Sequence, residues 1–360
     1  MKKDIENKER VDRNIDLCIL YIYKLNIEKE IIMAKKTIMY IGVDVGNFDT
    51  KSQNTTLPSG YEGPYSSKPM LGRECLCLDG QYYQITSDRL FYMQDKTKNE
   101  RCIVLTLCSI ASEILNKITK AKKDLDHQAI QDYIDRVKHI ALGAGLPIAH
   151  YRKKDVQALT AYYQGYMADG ISFDYNDFHF EFKMDLCKIY PQGGAAAAGI
   201  SSTIFSTYPT YYIIDIGGYT LDIAQFSNGS PQKDVHSMEL GIIILYDSIV
   251  DKIFKDYDLS IDYGVIEDVL CGRPHVIASN VVEVIRDMTK RHADKIIYAL
   301  RQAKVSFSSY PCIFVGGGSI VLKKYILENP LIRHDIVQFV TDTRANAKGY
   351  AKLLRSSVVA

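Results

Sequence analysis

The sequence has almost no net charge. Lysine and arginine total 44 and aspartate and glutamate total 43, so the formal charge at pH 7 is +1. Proteins that bind nucleic acid or anionic membranes over a broad surface usually carry a clear basic excess. We therefore expect no direct binding to nucleic acid and no membrane association, although a local basic face stays open.

Long hydrophobic runs and secretion signals are also missing from the start of the chain. The longest apolar run in residues 1–35 covers only residues 17–23, far fewer than the roughly 20 residues that cross a bilayer. No small-residue cleavage site follows, as a signal peptide would require. Because residues 1–35 are charge-rich and Met33 resembles a second start, we expect a mis-assigned start, a tail or a docking helix.

Cysteine patterns that signal disulfides or zinc are absent. The eight cysteines are dispersed, which in a chain without a secretion signal favours reduced thiols and a cytoplasmic location. Only Cys75 and Cys77 lie close together, and they lack the second half of a zinc site. Their segment alternates like a strand, so we expect both side chains to serve packing.

Several common catalytic motifs are absent too. The sequence contains no HExxH and no cysteine–histidine cluster, and its glycines form neither G-x-G-x-x-G nor G-x-x-x-x-G-K-[ST]. The last two motifs build the phosphate sites of Rossmann proteins and of P-loop NTPases. Both kinds of phosphate site are therefore excluded.

The sequence does contain an alternation of strand-like and helix-like segments. This mixed order predicts an α/β chain whose sheets are covered by helices. Strands rich in Val, Ile and aromatic residues are predicted at 37–45, 75–85, 137–142, 211–216, 221–226 and 312–315. Helices are predicted at 105–122, 154–168, 241–257, 281–303 and 320–328.

One pattern occurs twice. "GVDVGNFDTK" and "IIDIGGYTLDI" each contain an apolar strand that ends at an aspartate, a glycine-bearing turn and a second strand, as in a β-hairpin. Gly46, Gly217 and Gly218 lack a Cβ atom, so the backbone N–H groups of these turns can approach an anion closely. Such concave arrays of amides bind phosphate. Two hairpins that face each other would hold a polyphosphate from both sides.

The aspartates of the two hairpins need an explanation, because carboxylates repel phosphate. Mg²⁺ is usually held through waters by one or two carboxylates, so Asp44 and Asp215 are candidate magnesium ligands. Lys51, on the second strand of the first hairpin, is a candidate phosphate contact that acts as a point charge. A single D-x-G at a turn is common, and the duplication is what strengthens the prediction.

A third glycine-rich element is "CIFVGGGSIVLKKYI", which follows an apolar strand and precedes a helix. Successive glycines let the backbone lie against a flat ligand or against a phosphate at the helix N-terminus. We expect Gly316, Gly317 and Gly318 to pack under a nucleoside and Ser319 to be the N-cap of the following helix.

These three elements, in this order, resemble the phosphate 1, phosphate 2 and adenosine motifs of the actin, Hsp70 and sugar kinase superfamily. "YPQGGAAAAGI" and "RANAKGYAKLL" resemble its two connecting helices, whose Ala and Gly residues let two backbones cross closely. The "D-[IL]-G-G-x-T-x-D" form of phosphate 2, the "GLP" at 145–147 and "VGGGS" look most like the bacterial plasmid-segregation actins, the ParM/StbA-like group.

The resemblance implies a duplicated two-domain, ribonuclease H-like fold of the actin type, with a nucleotide in the cleft between the domains. Domain I would comprise residues 36–193 plus 341–360, and domain II residues 194–340. Residues 1–35 would lie outside both domains.

The resemblance also implies roles for individual residues. Asp44 and Asp215 would hold Mg²⁺ through water, and Gln192 and Asp215 would be catalytic. Gln192 stands where some members of the group have Glu; a glutamine orients a water molecule but is not a strong base. Asp222 would serve structure or the geometry around the metal. The cofactor-binding residues would be Gly46, Asn47, Lys51, Gly217, Gly218, Tyr219, Thr220, Gly316, Gly317, Gly318 and Ser319.

The function implied is a filament-forming ATPase that polymerises with ATP, or with GTP, and segregates plasmid DNA, with hydrolysis destabilising the filament. DNA would be reached through a DNA-bound, ParR-like adaptor at the filament ends. Three alternatives stay open: a soluble small-molecule kinase of the same superfamily, another bacterial cytoskeletal actin for cell shape, division or organelle positioning, and a scaffold with a degenerate site.

Overall fold

A computed structural model describes residues 38–69, 74–87, 95–122, 124–198, 207–228 and 230–359. The chain divides after Met39, and the architecture below is that of the residues from Tyr40 onward, to which Met39 adds the first residue of a strand. The segment 1–35, predicted as a leader or docking helix, lies outside the described residues. The division of the remaining chain into domains I and II stays a prediction.

Fifteen strands of the described chain form three sheets. They are β1 Met39–Gly42, β2 Asp44–Val45, β3 Asp49–Lys51, β4 Thr56–Pro58, β5 Gly60–Tyr65, β6 Cys75–Leu78, β7 Gln81–Thr86, β8 His139–Leu146, β9 Ile171–Tyr175, β10 Phe178–Pro191, β11 Thr210–Ile216, β12 Leu221–Ser227, β13 Ser230–Met238, β14 Cys312–Val315 and β15 Val337–Phe339.

The largest sheet has seven strands in the order β1-β8-β10-β9-β6-β7-β5. Its centre is the parallel pair of β8 and β10, where Pro191 is opposite Leu146. β9 and β10 form an antiparallel hairpin whose apolar residues alternate with exposed ones. Such a pattern buries one face of the hairpin against the core and leaves the other in solvent.

A second sheet has five strands in the order β13-β12-β11-β14-β15. β11 pairs antiparallel with β12 and parallel with β14. A third, small sheet joins β2, β3 and β4. The two hairpins that the sequence predicts, β2–β3 and β11–β12, therefore both form.

Helices α1 to α9 of the described chain are α1 Arg101–Ala121, α2 His127–Ile134, α3 Lys153–Met167, α4 Gly194–Ala198, α5 Ile242–Tyr257, α6 Tyr263–Cys271, α7 Ser279–Gln302, α8 Gly317–Leu327 and α9 Ala345–Val359, and a short 3₁₀ helix covers Ile148–His150. Local sequence explains several of the ends. Asp126 caps α2 by accepting the N–H of Ala129 at 2.8 Å, and Asp262 caps α6 by accepting the N–H of Val265 at 2.9 Å. α6 ends at Gly272, which has a φ of 68°.

Helix α1 is the most apolar of the long helices. Among the described residues it is the one helix whose length and composition would suffice to span a membrane. However, 67% of its most apolar stretch is buried inside the protein, and side chains such as Ile110 are fully buried. Its Glu113 is also fully buried and accepts hydrogen bonds from Ser52 and Asn54, so α1 holds the segment that follows β3.

The predicted secondary structure is largely confirmed, with two corrections among the strands. The strand expected over 37–45 is two strands in different sheets, β1 and β2. The strand expected over 75–85 is two strands, β6 and β7, because Asp79 and Gly80 have φ values of 52° and 74°. An Asp-Gly pair in that conformation makes the tight turn of a hairpin. Cys75 and Cys77 are free thiols on β6.

Candidate functional site

The first hairpin places Asp44 directly opposite Lys51 on the neighbouring strand. The N–H of Gly46 donates to the carbonyl of Asp49 at 3.2 Å and so closes the turn. A Cβ atom at Gly46 would lie 2.7 Å from that carbonyl oxygen, so this position requires glycine. The N–H of Asn47, in contrast, has no hydrogen bond within the described part of the chain and is available to a ligand.

The second hairpin repeats this geometry. Asp215 lies opposite Asp222, and the N–H of Gly217 donates to the carbonyl of Thr220 at 2.9 Å. The first N–H groups of α5 also bind this turn, since the N–H of Ile243 donates to the carbonyl of Gly218 at 2.8 Å. The N–H of Gly218 is unused by the residues that the structure describes.

The two turns meet face to face. A Cβ atom at Gly218 would lie 3.6 Å from the backbone nitrogen of Phe48 and 3.1 Å from Ile243 Cδ1. One available amide from each hairpin, Asn47 and Gly218, therefore borders the same space. The duplication in the sequence predicts two similar turns, and the fold places them opposite each other.

The glycine-rich segment before α8 lies against the second hairpin. β14 pairs with β11 so that Val315 is opposite Asp215, which brings Gly316 beside the aspartate. Gly316 has a φ of 87°, and a Cβ atom there would overlap the Asp215 carboxylate and lie 2.5 Å from the carbonyl oxygen of Ile216. Only glycine permits this approach.

The prediction that Ser319 is an N-cap is wrong. α8 begins at Gly317 and its N-cap is Gly316, which provides no side chain. Ser319 lies inside the first turn, fully buried, and its hydroxyl donates to the carbonyl of Gly316 at 2.7 Å. The helix starts earlier than expected. The three glycines have low helix propensity, but tertiary contacts of this segment hold them in the helix.

Asp44 and Asp215 are 9% and 8% exposed, and amide side chains orient the first of them. Gln192 donates through Nε2 to Asp44 Oδ1 at 2.7 Å, and Asn346 donates through Nδ2 to Asp44 Oδ2 at 3.2 Å. The Oδ1 atom of Asn346 accepts the N–H of Gly193 at 2.8 Å. Both oxygens of Asp44 are thus fixed by neutral donors, which leave its negative charge in place.

Burial and like charges perturb the second aspartate. The pKa of Asp215 is raised from 3.8 to about 7, first by burial and then by repulsion from Asp222 and Asp44, while Lys51 and the amide of Asn346 oppose the rise. Burial also raises the pKa of Asp222, and the hydrogen bond that it accepts from Thr220 at 3.0 Å opposes this. Buried carboxyl groups with shifted pKa values are typical of functional sites.

These elements line one cavity of about 300 Å³. Two larger cavities, of about 560 and 550 Å³, open elsewhere on the chain, but neither gathers the paired hairpins. Tyr219 and Ser319 are not among the lining residues. The predicted site residues that line the cavity are Asp44, Gly46, Asn47, Lys51, Gln192, Asp215, Gly217, Gly218, Thr220, Gly316, Gly317 and Gly318.

Sequence reasoning missed several lining residues. Glu267 and Cys271 reach the cavity from α6, where Glu267 accepts a hydrogen bond from Tyr246 at 3.4 Å. Lys96 donates to the carbonyl of Val45 at 2.8 Å and also lines the cavity. None of these residues stands in a motif, and only the fold brings them to the hairpins.

The side chains at the cavity suit a hydrated Mg²⁺ ion better than they suit a metal ion whose ligands all come from the protein. No group of three or more His, Cys, Asp or Glu side chains that could hold a metal occurs among the described residues. Asp44 and Asp215 are buried beside two available amides, and their mutual repulsion favours a cation between them. A hydrated divalent ion bound by one or two carboxylates and by phosphate oxygens fits such a site.

Comparison with known proteins identifies the fold. No protein-family model matches the chain, and no curated protein does. Among solved structures, the archaeal actin homologue Ta0583 in complex with ADP is 16% identical with a TM-score of 0.66, covering 89% of this chain and 100% of its own. ParM of Bacillus thuringiensis with ATP is 14% identical with a TM-score of 0.61, covering 90% of this chain and 100% of its own.

A 15-stranded ParM filament from Clostridium botulinum is also similar, at 17% identity and a TM-score of 0.64, covering 89% of this chain and 100% of its own. The chain therefore has the actin-like fold, as its sequence predicts. The expected likeness to plasmid-segregation actins is confirmed as a likeness of structure.

Proposed function

We propose that this chain is a nucleotide-dependent, filament-forming actin-like ATPase that segregates plasmid DNA in the cytoplasm. The observation that supports this most directly is the meeting of two acidic hairpins at one cavity, which both Asp44 and Asp215 line. Paired hairpins with available amides provide what a polyphosphate needs from a backbone.

In this proposal the nucleotide lies along the cavity with its phosphates between the hairpins. The amides of Asn47 and Gly218 and the side chain of Lys51 contact the phosphates, although Lys51 lies 3.6 Å from Asp49 and must be shared with it. Gly317 and Gly318 underlie the nucleoside. No atom of the described residues lies within 4 Å of a Cβ atom at Gly317, which leaves room for a ligand there.

Asp44 and Asp215 would hold Mg²⁺, which supplies positive charge to neutralise the phosphates and to polarise the bond that breaks. Gln192 would orient the attacking water. Its carboxamide already lies at the cleft, donating to Asp44, and it needs no change of protonation to act. Phosphoryl transfer relies mainly on such positioning and on charge stabilisation.

Assembly would be coupled to the state of the cleft. A triphosphate that contacts both hairpins favours the closed arrangement, and a ligand shifts such an equilibrium only by its differential affinity. If the closed shape fits head-to-tail onto a second copy and the rotation between copies does not close into a ring, the contact generates a helical filament. The likeness to ParM filaments supports this part of the proposal.

We expect ATP with Mg²⁺, or GTP with Mg²⁺, to convert the protein from small species to sedimentable polymer at tens of micromolar. Light scattering and ultracentrifugation with ATP, GTP or neither test this. Asp215→Ala is the matched negative control, because it removes a metal ligand. A protein that stays monomeric with either nucleotide, or that turns over ATP only when a small-molecule acceptor is added, would instead favour the soluble kinase.

DNA would be reached indirectly, through a DNA-bound, ParR-like adaptor at the filament ends. The formal charge of +1 supports this part of the proposal, since direct binding to duplex DNA depends on neutralising several phosphates with lysine and arginine.

A further inference from the structure

Asn346 stands where the elements of the cleft converge. It is the second residue of α9, and it lines the cavity. Through one carboxamide it donates to Asp44 of the first hairpin and accepts from the N–H of Gly193, the residue just before α4. One side chain thus links the Asp44 carboxylate to the start of helix α4 and to α9, at the cavity that Asp215 also lines.

The backbone of α9 cannot move freely at this point. A Cβ atom at Gly42 of β1 would overlap the carbonyl of Ala347, and a Cβ atom at Gly349 would overlap the carbonyl of Ala195 in α4. The first turn of α9 is therefore wedged between a strand and a helix. Arg344 adds a further tie, donating to the carbonyl of Asn54 at 2.9 Å. Asn346 consequently projects from a rigid support.

The chemistry of a carboxamide matters here. A lysine or arginine at this position would neutralise the aspartates and compete with a metal, whereas an asparagine amide fixes a carboxylate without removing its charge. Each carboxylate oxygen keeps a lone pair for a water of a hydrated cation. Partners that orient ligating carboxylates in this way contribute strongly to metal affinity.

We propose that Asn346 is a positioning residue that holds the Asp44 carboxylate in a fixed orientation, so that Asp44 and Asp215 form a preformed site for hydrated Mg²⁺. This inference rests on the proposed nucleotide site. It assigns the orientation of Asp44 to the second connecting helix, beyond the residues that the hairpins supply.

The test uses Asn346→Ala in the full chain, with Asn329→Ala as the matched control. Asn329 also donates to a carboxylate, Asp294, at 3.0 Å, but on the exposed surface. We measure ATP binding by calorimetry and by thermal shift across a Mg²⁺ titration, and again with EDTA. We expect the Mg²⁺ concentration for half-maximal binding to rise about 10-fold or more in Asn346→Ala, with ATP affinity in EDTA unchanged and Asn329→Ala like wild type.

Two results would overturn the inference alone, and a third would also overturn the proposed function. An equal loss of ATP affinity with and without Mg²⁺ would show a merely structural role and overturn the inference, and so would an unchanged Mg²⁺ midpoint. A wild-type protein that shows no Mg²⁺-dependent ATP binding would overturn the proposed function together with the inference.

A second variant covers the case in which Asn346→Ala fails to fold. Asn346→Asp keeps the shape and the acceptor for Gly193 but places a third carboxylate against Asp44. Its nucleotide-free melting temperature at pH 8 should fall and should be restored by Mg²⁺ but not by K⁺ at equal ionic strength. A melting temperature equal to that of wild type would overturn the inference.

Discussion

Replacing Asp215 with asparagine should abolish ATP hydrolysis while making the nucleotide-free protein more stable at pH 8. Hydrolysis should fall about 100-fold or more, because a metal ligand is lost. The gain in the free energy of unfolding should be on the order of 1–4 kcal/mol, because the substitution removes a buried charge whose pKa is raised in the folded protein.

The sign of the pH dependence follows from the direction of the shift. The pKa of Asp215 is about 7 in the folded protein, against 3.8 as its ordinary value. Between pH 4 and 7 the unfolded chain releases this proton while the folded protein retains it, so the free energy of unfolding of wild type should fall as pH rises through that window. Asp215→Asn should lose this slope.

The measurement is urea denaturation of both proteins from pH 4 to 8, without nucleotide or Mg²⁺. Asp251→Asn, at an exposed position of α5, is the matched control and should follow wild type. Parallel pH profiles for wild type and Asp215→Asn would contradict the electrostatic account of the site, even if hydrolysis were lost.

Gly349→Ala should destabilise the protein by about 1–3 kcal/mol or more, the cost that is typical when overpacking forces a shift of the backbone. A Cβ atom at Gly349 would overlap the carbonyl oxygen of Ala195 and lie 2.5 Å from its carbonyl carbon. Both atoms belong to the backbone of α4, so no side chain can rotate away. Helices α4 and α9 would have to separate, and Asn346 would move with α9.

Gly165→Ala is the matched control, because it is the same substitution in helix α3, where the part of the chain that the structure describes has no atom within 4 Å of the added Cβ atom. It should stabilise the protein by about 0.5–1 kcal/mol through helix propensity alone. Chemical denaturation of the two variants gives both values. Equal stabilities for Gly349→Ala and wild type would show that the helices do not depend on their close crossing.

The sequence predicts the two hairpins of the site because the residues that form each hairpin are neighbours in the chain. A strand, an aspartate and a glycine turn are adjacent in the chain, so each hairpin is predictable by itself. The duplication alone does not predict that the two hairpins face each other, because that arrangement is a property of the whole fold. The close crossing of two helices follows from the Ala and Gly content around Ala195 and Gly349, and the geometry confirms it.

The residues that sequence reasoning missed depend on long-range contacts. Asn346 lies 302 positions from Asp44 along the chain, and nothing in its neighbourhood marks it as a partner of a carboxylate. Glu267 and Cys271 lie on α6, which the sequence analysis does not predict. Spacing along the chain carries no information about such contacts until the fold is known.

Other features that the sequence analysis did not predict do have a signal in the sequence. The hairpin of β9 and β10 alternates apolar residues with exposed ones, and Asn176 at its turn has a φ of 57°, which asparagine tolerates better than most residues. Period-two alternation on both sides of an Asn-Asp pair predicts a hairpin. In contrast, the N-cap expected at Ser319 was wrong because tertiary contacts override the low helix propensity of glycine.

The central claim is that a magnesium-bound nucleotide lies between the two acidic hairpins. A crystal structure with a non-hydrolysable ATP analogue and Mn²⁺ in place of Mg²⁺ tests this directly, because anomalous scattering locates the metal. The account predicts one metal peak between Asp44 and Asp215, with the phosphates against the amides of Asn47 and Gly218. Nucleotide density in another cavity, or a metal remote from both aspartates, would contradict it.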